Sequence, residues 1–175
     1  MLKLISIFEV NYESLVDYKM SFIGDFKEVS RVICMAKILN EIEYFEWLKR
    51  NKIENYYFMI GDDNPNYIIG DCMVNTNVDF HSEIYNRGAI SYSIRPTERN
   101  KHYGTYMLKL LLNKCQEFGL KEVCVSCLES NLGSKKVIEN NGGVLERRYF
   151  DIKGCDYGLK YWIGLEENTK ILINK

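Results

Sequence analysis

Apolar side chains recur along this chain at two spacings, every second residue in some stretches and every third or fourth in others, and the alternation lays out the elements. The run Met1 to Phe8 is apolar and predicts a first strand, cut off by Glu9. Between Tyr12 and Phe26, the residues Leu15, Tyr18, Phe22 and Phe26 fall three to four apart, which predicts a helix. A second, short helix is predicted over Glu41 to Lys49, with Ile42, Phe45 and Leu48 inward and Asn40 as its N-cap. Lys49 to Asn55 reads as a polar turn. Tyr56 to Ile60 and Tyr67 to Val74 are rich in aromatic and β-branched residues and predict a hairpin around Gly61 to Asn66. Asn75 to Asn86 is polar and mixed, a loop or an irregular strand end.

The second half is more regular. Gly88 to Arg95 alternates Ile90, Tyr92 and Ile94 with Ala89, Ser91 and Ser93, so one face is large and apolar and the other small, with room for a ligand or another backbone. From Gly104 to Phe118 the positions Met107, Leu108, Leu111, Leu112, Cys115 and Phe118 predict a helix, capped by Gly119. Glu122 to Leu128 predicts a strand, and Leu132 to Asn140 a helix ended by Asn141-Gly142-Gly143. Val144 to Phe150 and Tyr157 to Leu165 form a closing hairpin around Lys153-Gly154. Strands on both sides of an alternating β-α-β centre predict an α/β sheet of mixed direction.

At 175 residues the chain suits one domain, taken as 1–175. Only two prolines, with 46% hydrophobic and 27% charged residues, argue for a chain folded throughout. A net charge of -1 gives no basic field for a nucleic acid backbone, so no nucleic acid partner is expected. The opening apolar run is too short for a signal-peptide core or a membrane span, and no membrane partner is expected either. Six cysteines with no export signal point to reduced thiols and the cytoplasm. Cys124 and Cys127 fall on opposite faces of a strand, and no second pair follows at zinc spacing, so no metal site is expected. Thirteen tyrosines suit half-buried strand positions with wet hydroxyls, and an exposed cluster of them would mark a homodimer surface.

Chemistry concentrates at Ile94-Arg95-Pro96-Thr97-Glu98-Arg99-Asn100-Lys101-His102-Tyr103-Gly104-Thr105, where a strand feeds a basic turn that opens a helix. Unpartnered amides in a helix's first turn, with the helix dipole behind them, hold a phosphate-bearing cofactor by main chain. Arg99 and Lys101 would reinforce them.

Two separated motifs give this region a family likeness. Arg99-Asn100-Lys101-His102-Tyr103-Gly104 resembles the cofactor signature of the GCN5-related N-acetyltransferase (GNAT) superfamily, which is Arg or Gln, two residues, Gly, one residue, then Gly or Ala. His102 stands where the first glycine is usual. Asn131-Leu132-Gly133-Ser134 with Val137-Ile138-Glu139-Asn140-Asn141-Gly142-Gly143 resembles the loop and helix after the family's fifth strand. The stretch from Ile94 to Gly143 is most similar to bacterial predicted acetyltransferases, and the N-terminal third matches in outline.

The resemblance implies an α/β fold with a mixed, mainly antiparallel sheet of six to seven strands, a central parallel pair that splays, and about four flanking helices. It implies an acyltransferase with acetyl-CoA as cosubstrate, acting on an amine of a small molecule or an amino group of a peptide by direct transfer. Pantetheine would lie between the strands Gly88 to Arg95 and Glu122 to Leu128, held near Tyr92 and Ile94. Amides of Asn100, Lys101, His102, Tyr103, Gly104 and Thr105, with Arg99, would hold the pyrophosphate, and Asn131 would sit by the pantetheine or acetyl end. Asn131 is equally a helix N-cap. Ile138 occupies the position of the tyrosine that many members use to protonate the departing thiolate. Tyr92 substitutes if its ring reaches the gap, and Glu83 or His81 could serve as base through water; spacing does not choose among these roles. The His102 and Ile138 departures also suit a catalytically silent CoA-binding sensor or assembly module. The loop Asn75 to Asn86 and the first two helices would line the acceptor pocket, where Asp79 and Glu83 suit a cationic substrate.

Overall fold

The computed structural model describes residues 1–22, 40–76, 88–151 and 156–165. Its elements are β1 (Leu2–Ser6), α1 (Tyr12–Met20), α2 (Glu41–Arg50), β2 (Tyr56–Gly61), β3 (Asn64–Val74), β4 (Ile90–Ile94), α3 (Tyr103–Glu117), β5 (Glu122–Leu128), α4 (Leu132–Asn140), β6 (Val144–Asp151) and β7 (Asp156–Gly164). A single 3-10 turn, Pro96–Glu98, follows β4. The strands form one seven-stranded sheet in the order β1, β2, β3, β4, β5, β7, β6. Each neighbouring pair is antiparallel except β4 and β5, which is the mixed, mainly antiparallel fold class expected.

Period-two alternation along the strands feeds two cores on opposite faces of the sheet. In β2, Tyr56, Phe58 and Ile60 join Leu15, Tyr18 and Phe22 with Tyr44 and Leu48 of α2. Met59, on the other face, joins Met107, Leu108, Leu111, Leu112 and Cys115 of α3, Ile138 of α4, and Val123, Val125, Leu159 and Tyr161 of the sheet. Truncating any of these buried leucines to alanine costs about 2–5 kcal/mol.

Three local expectations are corrected. In α2, Tyr44 and Leu48 are buried while Ile42 is 72% exposed. An i, i+3, i+6 series drifts about 60° per step around a helix, whereas Tyr44 and Leu48, four apart, point together. The first hairpin turns within two residues, since Gly61 pairs with Asn64 and not beyond Asn66. Ile60 pairs with Ile68, so Pro65, Asn66 and Tyr67 bulge out of β3, where a residue without an amide hydrogen is tolerated. Helix α1 ends at Met20, with Phe22 buried just beyond it. Phe26 lies outside the described residues.

What positions the site is the join between β4 and β5. They pair only at Ile90 and Val125, backed by a bond from the Ala89 amide to the Cys124 carbonyl at 2.7 Å. Gly88 permits that approach: a Cβ there would lie 2.7 Å from the Ser126 nitrogen and 2.8 Å from the Val125 Cα. Past Ile90 the strands part. β4 stays paired to β3 as far as Ile94, and β5 to β7 along its length, so the opening exposes the edge of β4 that faces β5.

Candidate active site

Arg95, at the end of β4, fixes the turn that follows. Its amide bonds the Ile69 carbonyl at 2.8 Å, its Nε bonds the Ile68 carbonyl at 2.7 Å, and its Nη2 bonds Asp17 Oδ2 at 2.9 Å. The buried guanidinium also lies over the Tyr67 ring at 4.3 Å. Two left-handed residues then aim the chain into α3: Asn100 at φ 61° and His102 at φ 62°. Asn and His are among the non-glycine residues that tolerate this region, at a cost of about 1–2 kcal/mol each.

Helices α1, α2 and α4 each close their first turn with an asparagine side chain: Asn11 accepts from the Ser14 amide, Asn40 from Glu43 and Asn131 from Ser134. Helix α3 has no such cap, because His102 makes no side-chain bond to it. The first-turn amides therefore keep their donors, with the dipole of a 15-residue helix behind them.

They open onto a cleft of about 540 Å³. One wall comes from β4 and the turn, the other from Gly133, Ser134, Lys136, Val137 and Asn140 on α4. The two helices meet closely, since a Cβ on Gly104 would lie 3.1 Å from Val137 Cγ2. The Asn141 amide group ties Thr105 O to Val137 O at 3.2 and 2.8 Å.

Tyr92, Ile94, Arg99, Asn100, His102, Tyr103, Gly104, Thr105 and Asn131 all line this cleft. Lys101 does not: its ammonium is bonded to Glu98 at 3.0 Å, and that bond holds the Glu98 carboxyl below its usual range even against partial desolvation. Arg99 and Lys136 are the cations of the lining, on opposite walls. Asn131 lines the cleft while serving as the N-cap of α4. His81 and Glu83, with Asp79, lie outside the described residues.

The Tyr92 hydroxyl is 2.8 Å from Ser134 Oγ, in the first turn of α4. Burial pushes its pKa up to about 12, against a smaller downward pull from the Ser134 bond. Ile138 is buried in the α3 and α4 core and does not line the cleft. Cys127 packs against that core, whereas Cys124 feels Lys160 and Glu146 on the opposite face, and burial raises both thiols. Among the described residues no three His, Cys, Asp or Glu side chains are placed to hold a metal ion.

Sequence reasoning gave no role to Ser134, Lys136 or Asn140. For Lys136 and Asn140 the signal was the spacing Gly133, Lys136, Val137, Asn140, one face of a helix, but nothing in the sequence says what that face meets.

An uncapped helix opening onto a cleft beside the free edge of β4 defines an α/β protein with a site suited to an anionic group. A family model described as an acetyltransferase (GNAT) domain matches residues 15–144, and the chain belongs to that family, an N-acetyltransferase with acetyl-CoA as cosubstrate. No curated protein matches the sequence. Among solved structures, the ribosomal-protein-S5-alanine acetyltransferase of Vibrio fischeri has a TM-score of 0.69 at 14% identity, over 95% of this chain and 93% of that one. RimL, a ribosomal L7/L12 α-N-protein acetyltransferase in complex with coenzyme A, has a TM-score of 0.66 at 13% identity, over 94% and 96%. YncA from Salmonella typhimurium, solved with its cofactor acetyl-CoA, has a TM-score of 0.61 at 9% identity, over 96% of each chain. These likenesses speak to the fold. No helix among the described residues is long and apolar enough to cross a membrane.

Proposed function

We propose that this chain transfers the acetyl group of acetyl-CoA directly to a primary amine, on a small molecule or as an exposed amino group of a peptide. The observation that carries this reading is the uncapped start of α3 lying in one cleft with the open edge of β4. The amides from Asn100 to Thr105 meet the diphosphate, with Arg99 on the same wall. The β4 edge near Tyr92 and Ile94 pairs with pantetheine and polarises the thioester carbonyl, and Asn131 flanks it. Lys101 contributes its amide alone to this set, because Glu98 holds its ammonium. The amine attacks as the neutral base. Tyr92, protonated at neutral pH, gives its proton to the departing sulfur. Glu83 or His81 is the base we assign to the amine's proton, through water.

Thr105→Glu tests the cofactor half without unfolding the helix. A glutamate at the third position of α3 complements the dipole and reaches back to the N-cap amide, so the thermal midpoint holds or rises. Its carboxylate sits where the diphosphate would. Calorimetry should show coenzyme A and acetyl-CoA binding to the parent chain and at least ~30-fold weaker binding to the variant, a loss of about 2 kcal/mol. Equal binding would remove these amides as the cofactor site.

The buried Ile138 favours a second reading, a CoA-binding module without turnover. Release of free CoA thiol that depends on added amine decides for the enzyme. Two finer parts complete the proposal. A cytoplasmic address is in keeping with the four unpaired thiols among the described residues. A homodimer would use the edge strand β6, where Val144, Leu145 and Phe150 are exposed, and sedimentation over a range of concentrations tests it.

A further inference from the structure

We propose that Ser134 is a positioning residue for the acid step, holding Tyr92 with its proton aimed away from the serine and toward the departing sulfur; this rests on the acetyl transfer proposed above. The two hydroxyl oxygens are 2.8 Å apart, and either could be the donor. Other contacts break the tie. Tyr92 reaches a second oxygen, the Ser134 carbonyl, only at 3.4 Å, a long bond that its proton leaves at little cost. With the Tyr92 proton turned to that carbonyl, the Ser134 hydroxyl is left to donate to the Tyr92 oxygen at 2.8 Å, in keeping with the downward pull of that bond on the Tyr92 hydroxyl. Ser134 also sits in the first turn of α4, whose dipole favours negative charge on the tyrosine oxygen as its proton departs.

The step balances. The amine nitrogen forms a bond to the thioester carbonyl carbon, the carbon–sulfur bond breaks, and its electron pair leaves on sulfur. Sulfur takes the Tyr92 proton while Ser134 donates to the resulting phenolate oxygen. The nitrogen's surplus proton goes to water, and water returns a proton to Tyr92. The products are one amide and one CoA thiol.

Steady-state kinetics on Ser134→Ala, Ser134→Thr, Tyr92→Phe and the Ser134→Ala/Tyr92→Phe double variant test this, with coenzyme A affinity measured by calorimetry. Because Asn131 caps α4 through the backbone amide of residue 134, none of the serine variants removes that cap. Losing the hydrogen bond should lower kcat by roughly 10-fold in Ser134→Ala, with KM for acetyl-CoA and coenzyme A affinity unchanged. Ser134→Thr, which keeps the hydroxyl, should restore most of it. Tyr92→Phe should lose more, and the double variant no more than Tyr92→Phe alone, as expected of residues acting as one unit. Parent-like kcat in Ser134→Ala, a loss confined to KM, or losses that multiply in the double variant would overturn the inference. Absence of coenzyme A binding or amine-dependent turnover in the parent chain overturns the transfer reading itself.

Discussion

A carboxyl removed from water must be held by hydrogen bonds or stay protonated, and Asp71, on β3, is caught between the two. Tyr18 from α1 donates to its Oδ1 at 2.7 Å, and Tyr56 from β2 donates to its Oδ2. Burial outweighs both bonds and raises the carboxyl to about 6. The other titratable groups facing this cluster are Tyr44 from α2, Arg95 from the end of β4 and Cys72 beside it. The sign follows from which state holds the proton. Below the ordinary carboxyl range both folded and unfolded chains are protonated here; between that range and about 6 only the folded chain is. Stability from this group therefore falls as pH rises through that window, by about 3 kcal/mol in all. Glu98, Glu129 and Asp156 pull the other way, their carboxyls being lowered by their partners, so the informative quantity is a difference. Urea unfolding of the parent chain and Asp71→Asn at pH 4 and pH 7 should show the variant gaining relative to the parent at the higher pH. Parallel profiles would mean that Asp71 is ionised at both.

At the scale of elements, the start of α3 shows most clearly what the sequence disclosed and what it withheld. The helix itself was legible because its apolar positions repeat over four turns and Gly119, at φ 78°, ends it. The turn was legible as a basic junction, the mixed direction of the sheet followed from the order of strands and helices, and its mainly antiparallel pairing followed from the family resemblance. The direction of Lys101 was not, since its bond to Glu98 is a local competition that composition does not reveal. The face of α2 and the length of the first hairpin turn were misread because both depend on what packs against them. The opposite wall on α4 was out of reach for the same reason. His102 is the departure with a consequence here. Replacing it with glycine removes a left-handed cost of about 1–2 kcal/mol and adds about 0.5–1 kcal/mol of chain entropy in the unfolded state. His102→Gly should thus keep or slightly raise the thermal midpoint, by no more than about 6 °C, and bind coenzyme A at least as well as the parent. A weaker-binding, equally stable variant would show that the imidazole itself contacts the nucleotide.

Across the whole molecule, two cores grip opposite faces of one sheet, and the cleft exists because the sheet is joined on one side of its parallel pair and open on the other. That join is narrow. Ile90 and Val125 supply the single strand pairing, and Gly88 lies beside it against the β5 backbone. The atoms a methyl group at residue 88 would meet are main chain, not the free end of a side chain, so one strand has to shift. Gly119 is the control: its left-handed φ also disfavours a side chain, but nothing lies within 4 Å. Gly119→Ala should cost about 1 kcal/mol from the backbone alone, whereas Gly88→Ala should cost about 1–3 kcal/mol of overpacking. Only Gly88→Ala should also disturb the cofactor, because displacing β4 from β5 at the base of the split moves the edge on which pantetheine would lie. The expected pattern is a raised KM for acetyl-CoA in Gly88→Ala and a parent-like KM in Gly119→Ala, measured where both remain folded. If the two variants lose stability but share the parent's KM, the geometry at the base of the split does not govern how the thioester is held.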